Sequence, residues 1–389
     1  MFTLIKNAKI YAPEFIGIKS LLICGEKITW MGETFPCEET LPGLKIIDAE
    51  GMALIPGIVD GHVHITGGGG EGGAATRTPE LLLSDMVKGG VTTVIGLTGT
   101  DDVTRSTGAL IAKANGLTEE GVTAFAMTGS YQLPIKPICG GIREDIVLID
   151  RIIGVGEIAI SDHRSSQPTF DEFMQVASAA RVGGMLSGKC GLVNVHLGDG
   201  KRGLEYLFRA AETELPISQF IPTHMNRNPW LFEDARKYAK MGGYVDFTSS
   251  TTPIFLEEGE VKCSKAIKTL LDDGIPASHI SLSSDGQGSM PMFDETGNYT
   301  GITIGRVTSV HEEFTDTVLK EGVSMEDAVS TVSTTTADHC KLRGKGHIKE
   351  GFDADILLLD KDSLEIKYVF ARGRMMMEDK KILAKGTFE

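Results

Sequence analysis

Eight short apolar runs, separated by longer stretches with helical spacing, limit what this chain can fold into more than any other feature. The runs cover residues 55–59, 91–97, 122–128, 155–160, 192–197, 220–223, 244–247 and 280–284. Between them, segments such as 79–88, 170–185, 229–241 and 261–273 repeat their apolar residues at a helical period. Strands alternating with helices build a parallel sheet, and eight units over roughly 250 residues suit a (β/α)8 barrel of the TIM type. A doubly wound open sheet is the alternative, but it would place a glycine-rich nucleotide turn after its first strand. Here the first run ends in G-H-V-H-I-T-G-G-G-G-E instead.

The ends of the chain read differently. Residues 1–54 carry short strand patterns broken by Gly25, Gly32 and Gly51, and residues 344–389 return to that pattern after a late helix over 325–341. The simplest topology has both ends complete one small β-sandwich domain, with a barrel over 55–343 inserted between them. The opening M-F-T-L-I-K-N-A-K-I has Lys6 and Lys9 inside its apolar run and no small-residue cleavage site, so it reads as a strand rather than a signal peptide. A net charge of −15 without a basic stripe argues against a nucleic-acid groove, and no apolar stretch approaches the roughly 18 residues of a membrane span. Six scattered cysteines without a C-x-x-C pair point to free thiols in a reducing cytoplasm.

A parallel barrel puts its chemistry at the C-terminal ends of its strands. His62 and His64 follow the first run, two apart, so an extended backbone points both the same way. Glu157 lies on the fourth run, His196 ends the fifth, His224 the sixth and Asp285 the eighth. Four histidines and two carboxylates exceed what one open tetrahedral zinc requires. They suit two divalent ions, Zn²⁺ in the first instance, one held by His62, His64 and Asp285, the other by His196 and His224, with Glu157 as bridge. A bridging hydroxide is the expected nucleophile, because a bound metal lowers the pKa of water towards ~7.

These motifs resemble the amidohydrolase superfamily of metal-dependent hydrolases. G-H-V-H-I-T-G-G-G-G-E-G-G-A-A-T-R-T-P-E, A-I-S-D-H-R-S and S-S-D-G-Q-G-S are similar to its branch that cleaves β-aspartyl (isoaspartyl) dipeptides, and the resemblance covers nearly the whole chain. It implies a substrate pocket formed by Glu71, Thr100, Tyr131, Arg164, Arg227 and Ser289, a small peptide substrate and a homo-oligomer. The residue chemistry agrees. A β-aspartyl dipeptide carries two carboxylates and one ammonium. Arg164 and Arg227 can each fork a carboxylate, Glu71 can pair the ammonium, and Tyr131 can donate to the developing oxyanion. Asp285 can move the proton from water to the leaving amine. In that branch the bridge is a lysine carrying a carbamate. Here Glu157 stands in its place, shorter but equal in charge and in oxygen count. A dihydropyrimidinase- or hydantoinase-like enzyme acting on a cyclic amide or N-acyl amino acid is the alternative, and Glu71 speaks against it because a cyclic amide offers no ammonium. A non-catalytic scaffold is the third reading, opposed by the complete ligand set.

Overall fold

The structure is a computed structural model that describes residues 2–293, 296 and 298–389. Five strands open the chain: β1 Phe2–Tyr11, β2 Phe15–Cys24, β3 Lys27–Gly32, β4 Leu44–Asp48 and β5 Ala53–Pro56. Eight barrel strands follow: β6 Ile58–Val63, β7 Val91–Gly96, β8 Thr123–Thr128, β9 Ile152–Ile160, β10 Leu192–Leu197, β11 Phe220–Thr223, β12 Val245–Thr248 and β13 Ile280–Ser283. A hairpin, β14 Ser289–Phe293 and β15 Tyr299–Ile304, comes next and was not legible in the apolar pattern. The chain closes with β16 Ile356–Leu359, β17 Ile366–Ala371, β18 Arg374–Glu378 and β19 Lys381–Ile382.

Strands from the two chain ends ladder in one nine-stranded sheet, in the order β19-β18-β17-β16-β5-β1-β2-β3, with β4 added beside β1. The hydrogen-bonded path is thus a single sheet, whereas the sequence pattern suggested a sandwich. It has its own apolar core of Ile5, Ile10, Leu21, Ile23, Leu54, Ile356, Leu358 and Phe370. The first expected barrel run divides at Gly57: β5 joins the terminal sheet through β1 and β16, and only β6 enters the barrel. A side chain at 57 would come within 2.2 Å of the Thr92 hydroxyl, so the two sheets can separate only at a glycine.

In the barrel, β6 to β11 form a continuous parallel ladder and β12 pairs in parallel with β13. Backbone bonds close the ring: Met225 N donates to Asp246 O at 3.2 Å, Asp285 N to His62 O at 3.1 Å and His64 N to Gly286 O at 2.9 Å. The strands are fully buried runs because helices cover their outer face. Two helices show how local chemistry sets their starts. Phe170–Ser187 begins with a reciprocal capping box between Thr169 and Glu172. Pro229–Lys240 begins with Asn228 accepting from Leu231 N and proline at the first helical position. The late helix runs from Met325 to His339 and contains a π-helical turn, Ser330–Thr334. Among the described residues, no helix is long and apolar enough to cross a membrane.

Candidate metal centre and substrate cavity

All six expected ligands meet at the C-terminal mouth of the barrel, and all are buried. His62 and His64 leave the end of β6, Glu157 lies within β9, His196 within β10, and His224 and Asp285 just beyond β11 and β13. His224 and Asp285 take positive φ angles of 63° and 50°. This conformation is unfavourable for residues with a Cβ, and it turns both side chains from the strand direction into the mouth.

Glu157 is the centre of the group. Its Oε2 lies 2.9 Å from His62 Nε2 and 3.5 Å from His64 Nε2, and its Oε1 lies 2.6 Å from His196 Nδ1 and 3.5 Å from His224 Nε2. The two carboxylate oxygens are therefore divided between the two histidine pairs. Asp285 Oδ1 stands 3.1 Å from His64 Nε2 and 3.8 Å from His62 Nε2. Two triplets bring their donor atoms within 4.8 Å of one another, His62–His64–Asp285 and His62–Glu157–His224. His196 belongs to neither triplet, although it makes the shortest contact with Glu157.

The electrostatics follow from crowding. Burial alone would raise the Glu157 carboxyl, but His62, His196 and His224 hold it well below the usual range. Burial pulls His62 down, yet Glu157 and Asp285 push it up to about 9. His224 falls to about 3, chiefly through burial, with His196 and Arg227 adding repulsion. Five atoms here make no hydrogen bond among the described residues: both ring nitrogens of His62, His64 Nδ1, Glu157 Oε2 and Asp285 Oδ1. Buried polar atoms are rarely left so. A divalent ion satisfies several of them at once, and imidazole with carboxylate is a donor set that such ions accept, so the residues present fit the expected metal.

The expected substrate residues adjoin this centre, and all but Glu71 line a cavity of about 590 Å³. Glu71, at the end of the tetraglycine, accepts from Ser289 Oγ at 3.0 and 3.1 Å, and from Thr100 Oγ1 at 3.2 Å. Arg164 Nη1 reaches Glu71 at 3.4 Å. The Tyr131 hydroxyl lies 2.8 Å from His196 Nδ1, and burial raises its pKa well above the usual 10, so it stays a donor. The two arginines differ. Arg164 already grips Asp162 through Nε and Nη2 at 3.0 and 2.8 Å, so its fork is not open to a carboxylate as the sequence suggested. Arg227 meets Asp199 at 3.9 Å and lies in the field of Glu260, and its buried Nε has no hydrogen-bond partner among the described residues. It has donors to offer.

Sequence reasoning missed two residues. Asp162 sits inside the motif S-D-H-R, from which Arg164 was read as a pocket residue. Arg105, also buried, binds the glycine loop: it donates to Thr66 O, to Gly68 O at 3.0 Å and to Thr78 O at 2.9 Å. Its distance from that loop, 37 positions from Gly68, left no local sequence signal.

Known proteins share this fold. The structure resembles that of a β-aspartyl dipeptidase from Fervidobacterium islandicum, solved in complex with β-Asp-Leu, with a TM-score of 0.92 and 46% identity over 98% of this chain and 97% of that one. A dihydropyrimidinase from Brevibacillus agri shares the fold, with a TM-score of 0.67 at 17% identity over 99% of this chain and 97% of that one. In curated sequences, 96 residues are 36% identical to an adenine deaminase of Bacillus velezensis, covering 24% of this chain but only 14% of that relative. The family model described as amidohydrolase family matches residues 53–376, which hold the whole barrel, and the chain belongs to that family.

Proposed function

We propose that this protein is a metallo-dipeptidase that hydrolyses the β-aspartyl peptide bond of dipeptides. The observation that carries the reading is Glu71, fixed by Ser289 and Thr100 beside six buried metal-type ligands, with Arg227 left open nearby. Such a pair can hold an ammonium and a carboxylate, both of which a β-aspartyl dipeptide carries. The similarity to the F. islandicum enzyme supports the same substrate class.

His62, His64 and Asp285 would hold one divalent ion, His196 and His224 a second, with Glu157 between them; Zn²⁺ is the first choice. Bound there, the ions would supply an activated water and polarise the scissile carbonyl. The protein side chains do the rest. Asp285 accepts the water's proton and delivers it to the leaving amine. Tyr131, kept protonated by burial, donates to the carbonyl oxygen as it gains charge. Arg227 binds a substrate carboxylate, and Glu71 the ammonium. Arg164 acts through Glu71 and Asp162, to both of which it is bonded. Because Glu157 is itself a carboxylate, the centre assembles without CO₂.

In this reading the catalytic barrel expected over 55–343 begins after Gly57, with 1–56 and 344–389 as a small β domain. A homo-oligomer is supported by the exposed apolar residues Leu148, Met185 and Leu186. A reducing compartment such as the cytoplasm is supported by cysteines that are all free.

Turnover of β-Asp-Leu, α-Asp-Leu and a hydantoin tests the assignment. Selective cleavage of β-Asp-Leu is expected. Preference for the α-peptide, or opening of the hydantoin, overturns it. Metal analysis should give two ions per chain, and activity should survive depletion of bicarbonate.

A further inference from the structure

Asp162 lies just beyond β9 with its side chain 3% exposed, and it faces two functional residues at once. Its Oδ2 accepts from His196 Nε2 at 2.9 Å and from Arg164 Nη2 at 2.8 Å. Its Oδ1 accepts from Arg164 Nε at 3.0 Å and from the Arg164 backbone N–H at 2.7 Å. Every lone-pair direction of the carboxylate thus points at one of these two residues. Binding the Nε2 proton would fix the His196 tautomer in which Nδ1, 2.6 Å from Glu157, keeps its lone pair for a divalent ion held by both side chains. Binding Nε and Nη2 turns the Arg164 fork and leaves Nη1 for Glu71, at 3.4 Å. The local backbone makes room for this arrangement. A Cβ on Gly198, two residues beyond His196, would come within 2.5 Å of the Asp162 side chain.

We propose that Asp162 is a positioning residue that couples metal retention to substrate recognition, by holding His196 on the metal side and, through Arg164, Glu71 on the substrate side. The substrate half rests on the β-aspartyl dipeptidase reading. The metal half does not.

The test uses the holoenzyme with Zn²⁺ and three variants, Asp162→Ala, Asp162→Asn and Gly198→Ala. Two quantities are read: metal retained during dialysis against graded chelator, and KM for β-Asp-Leu. In Asp162→Ala, metal is expected to leave at about 10- to 100-fold lower chelator, as for loss of other partners of metal-bound histidines. KM should rise by about 10-fold in the same variant. Asp162→Asn should fall between it and the wild type, since an amide keeps one acceptor. Gly198→Ala keeps the carboxylate but displaces it, and should shift both quantities in the same direction, even if Asp162→Ala fails to fold. Metal retention and KM both within twofold of wild type would overturn the proposal. Weakened metal retention with unchanged KM would overturn the coupling. A wild-type enzyme inactive on β-Asp-Leu would overturn the dipeptidase reading, and the chelator series would still decide the role of Asp162 towards His196.

Discussion

A cluster of charge where the two sheets meet and another at the barrel mouth are built to opposite rules. At the seam between the terminal sheet and the barrel, Lys345 donates to Thr123 Oγ1 at 2.6 Å, to Asp355 at 2.7 Å and to Asp353 at 2.8 Å. Three donors find three acceptors. Asp353 also binds Lys27 at 2.6 Å, and Asp355 accepts the Arg372 backbone N–H at 2.6 Å. At the barrel mouth, four histidines and two carboxylates lie as close together, yet His62, His64, Glu157 and Asp285 keep atoms without a hydrogen bond among the described residues. The first cluster is complete as protein and serves to join two sheets. The second keeps converging atoms that a divalent ion could satisfy. Burial is common to both, so burial of charge does not mark a site. Incomplete satisfaction of converging donors does.

The largest test of this contrast is Glu157→Gln. It keeps the shape but removes the charge that both histidine pairs share. It should lose metal, and kcat/KM should fall by about 10³-fold, equivalent to roughly 4 kcal/mol of transition-state stabilisation. Full activity with unchanged metal content would remove Glu157 from the centre. Next, Lys345→Met should leave buried Asp355 and half-buried Asp353 each short of a partner and cost about 3 kcal/mol in urea unfolding, while kcat of the folded fraction stays the same. A loss of activity without a loss of stability would break the division of roles.

Metal removal sharpens the comparison from the other side. Zn²⁺ at about 1,000 times its Kd should restore about 4 kcal/mol to stripped protein, and none of that to Glu157→Gln. Lys345→Met should respond to Zn²⁺ as the wild type does. A smaller effect is expected at Arg105, which fastens the loop carrying Glu71. Arg105→Lys, with one point charge in place of a fork over three carbonyls, should raise KM about 10-fold and leave metal content unchanged.

The smallest effect is that of pH on the seam. Burial would raise the Asp353 carboxyl, but Lys345 and Lys27 hold it below its usual 3.8. A depressed carboxyl contributes its stability above the usual value and loses it as pH falls through the lower, folded value. The urea midpoint should therefore be flat in this contribution above about pH 5 and decline below about pH 4. Lys345→Met should flatten that decline. An unchanged acid slope in the variant would show that the seam does not titrate as described.

Much of the site was legible because barrel chemistry collects at strand ends, and strand ends can be read. His62 and His64 are two apart on an extended segment, and His196 and His224 close apolar runs that the structure bears out as β10 and β11. Asp162 was not legible, because its meaning lies in a bond to His196, 34 positions away. Nor was the committed fork of Arg164, which reads in sequence as one more free arginine. The run at 55–59 looked continuous because its residues are apolar throughout. Only packing reveals that Gly57 is where one strand leaves the terminal sheet and the next enters the barrel.

The sequence by itself determined the alternation of strands and helices, the return of both ends to β structure and the six side chains that converge at the barrel mouth, since each follows from local period and from position along a strand. Tertiary structure alone decided how Glu157 divides its two oxygens between four histidines, which arginine stays open and which is bound, and which buried charges are satisfied. Those outcomes depend on distances of a few ångströms between residues far apart in the chain, and local pattern carries no information about them.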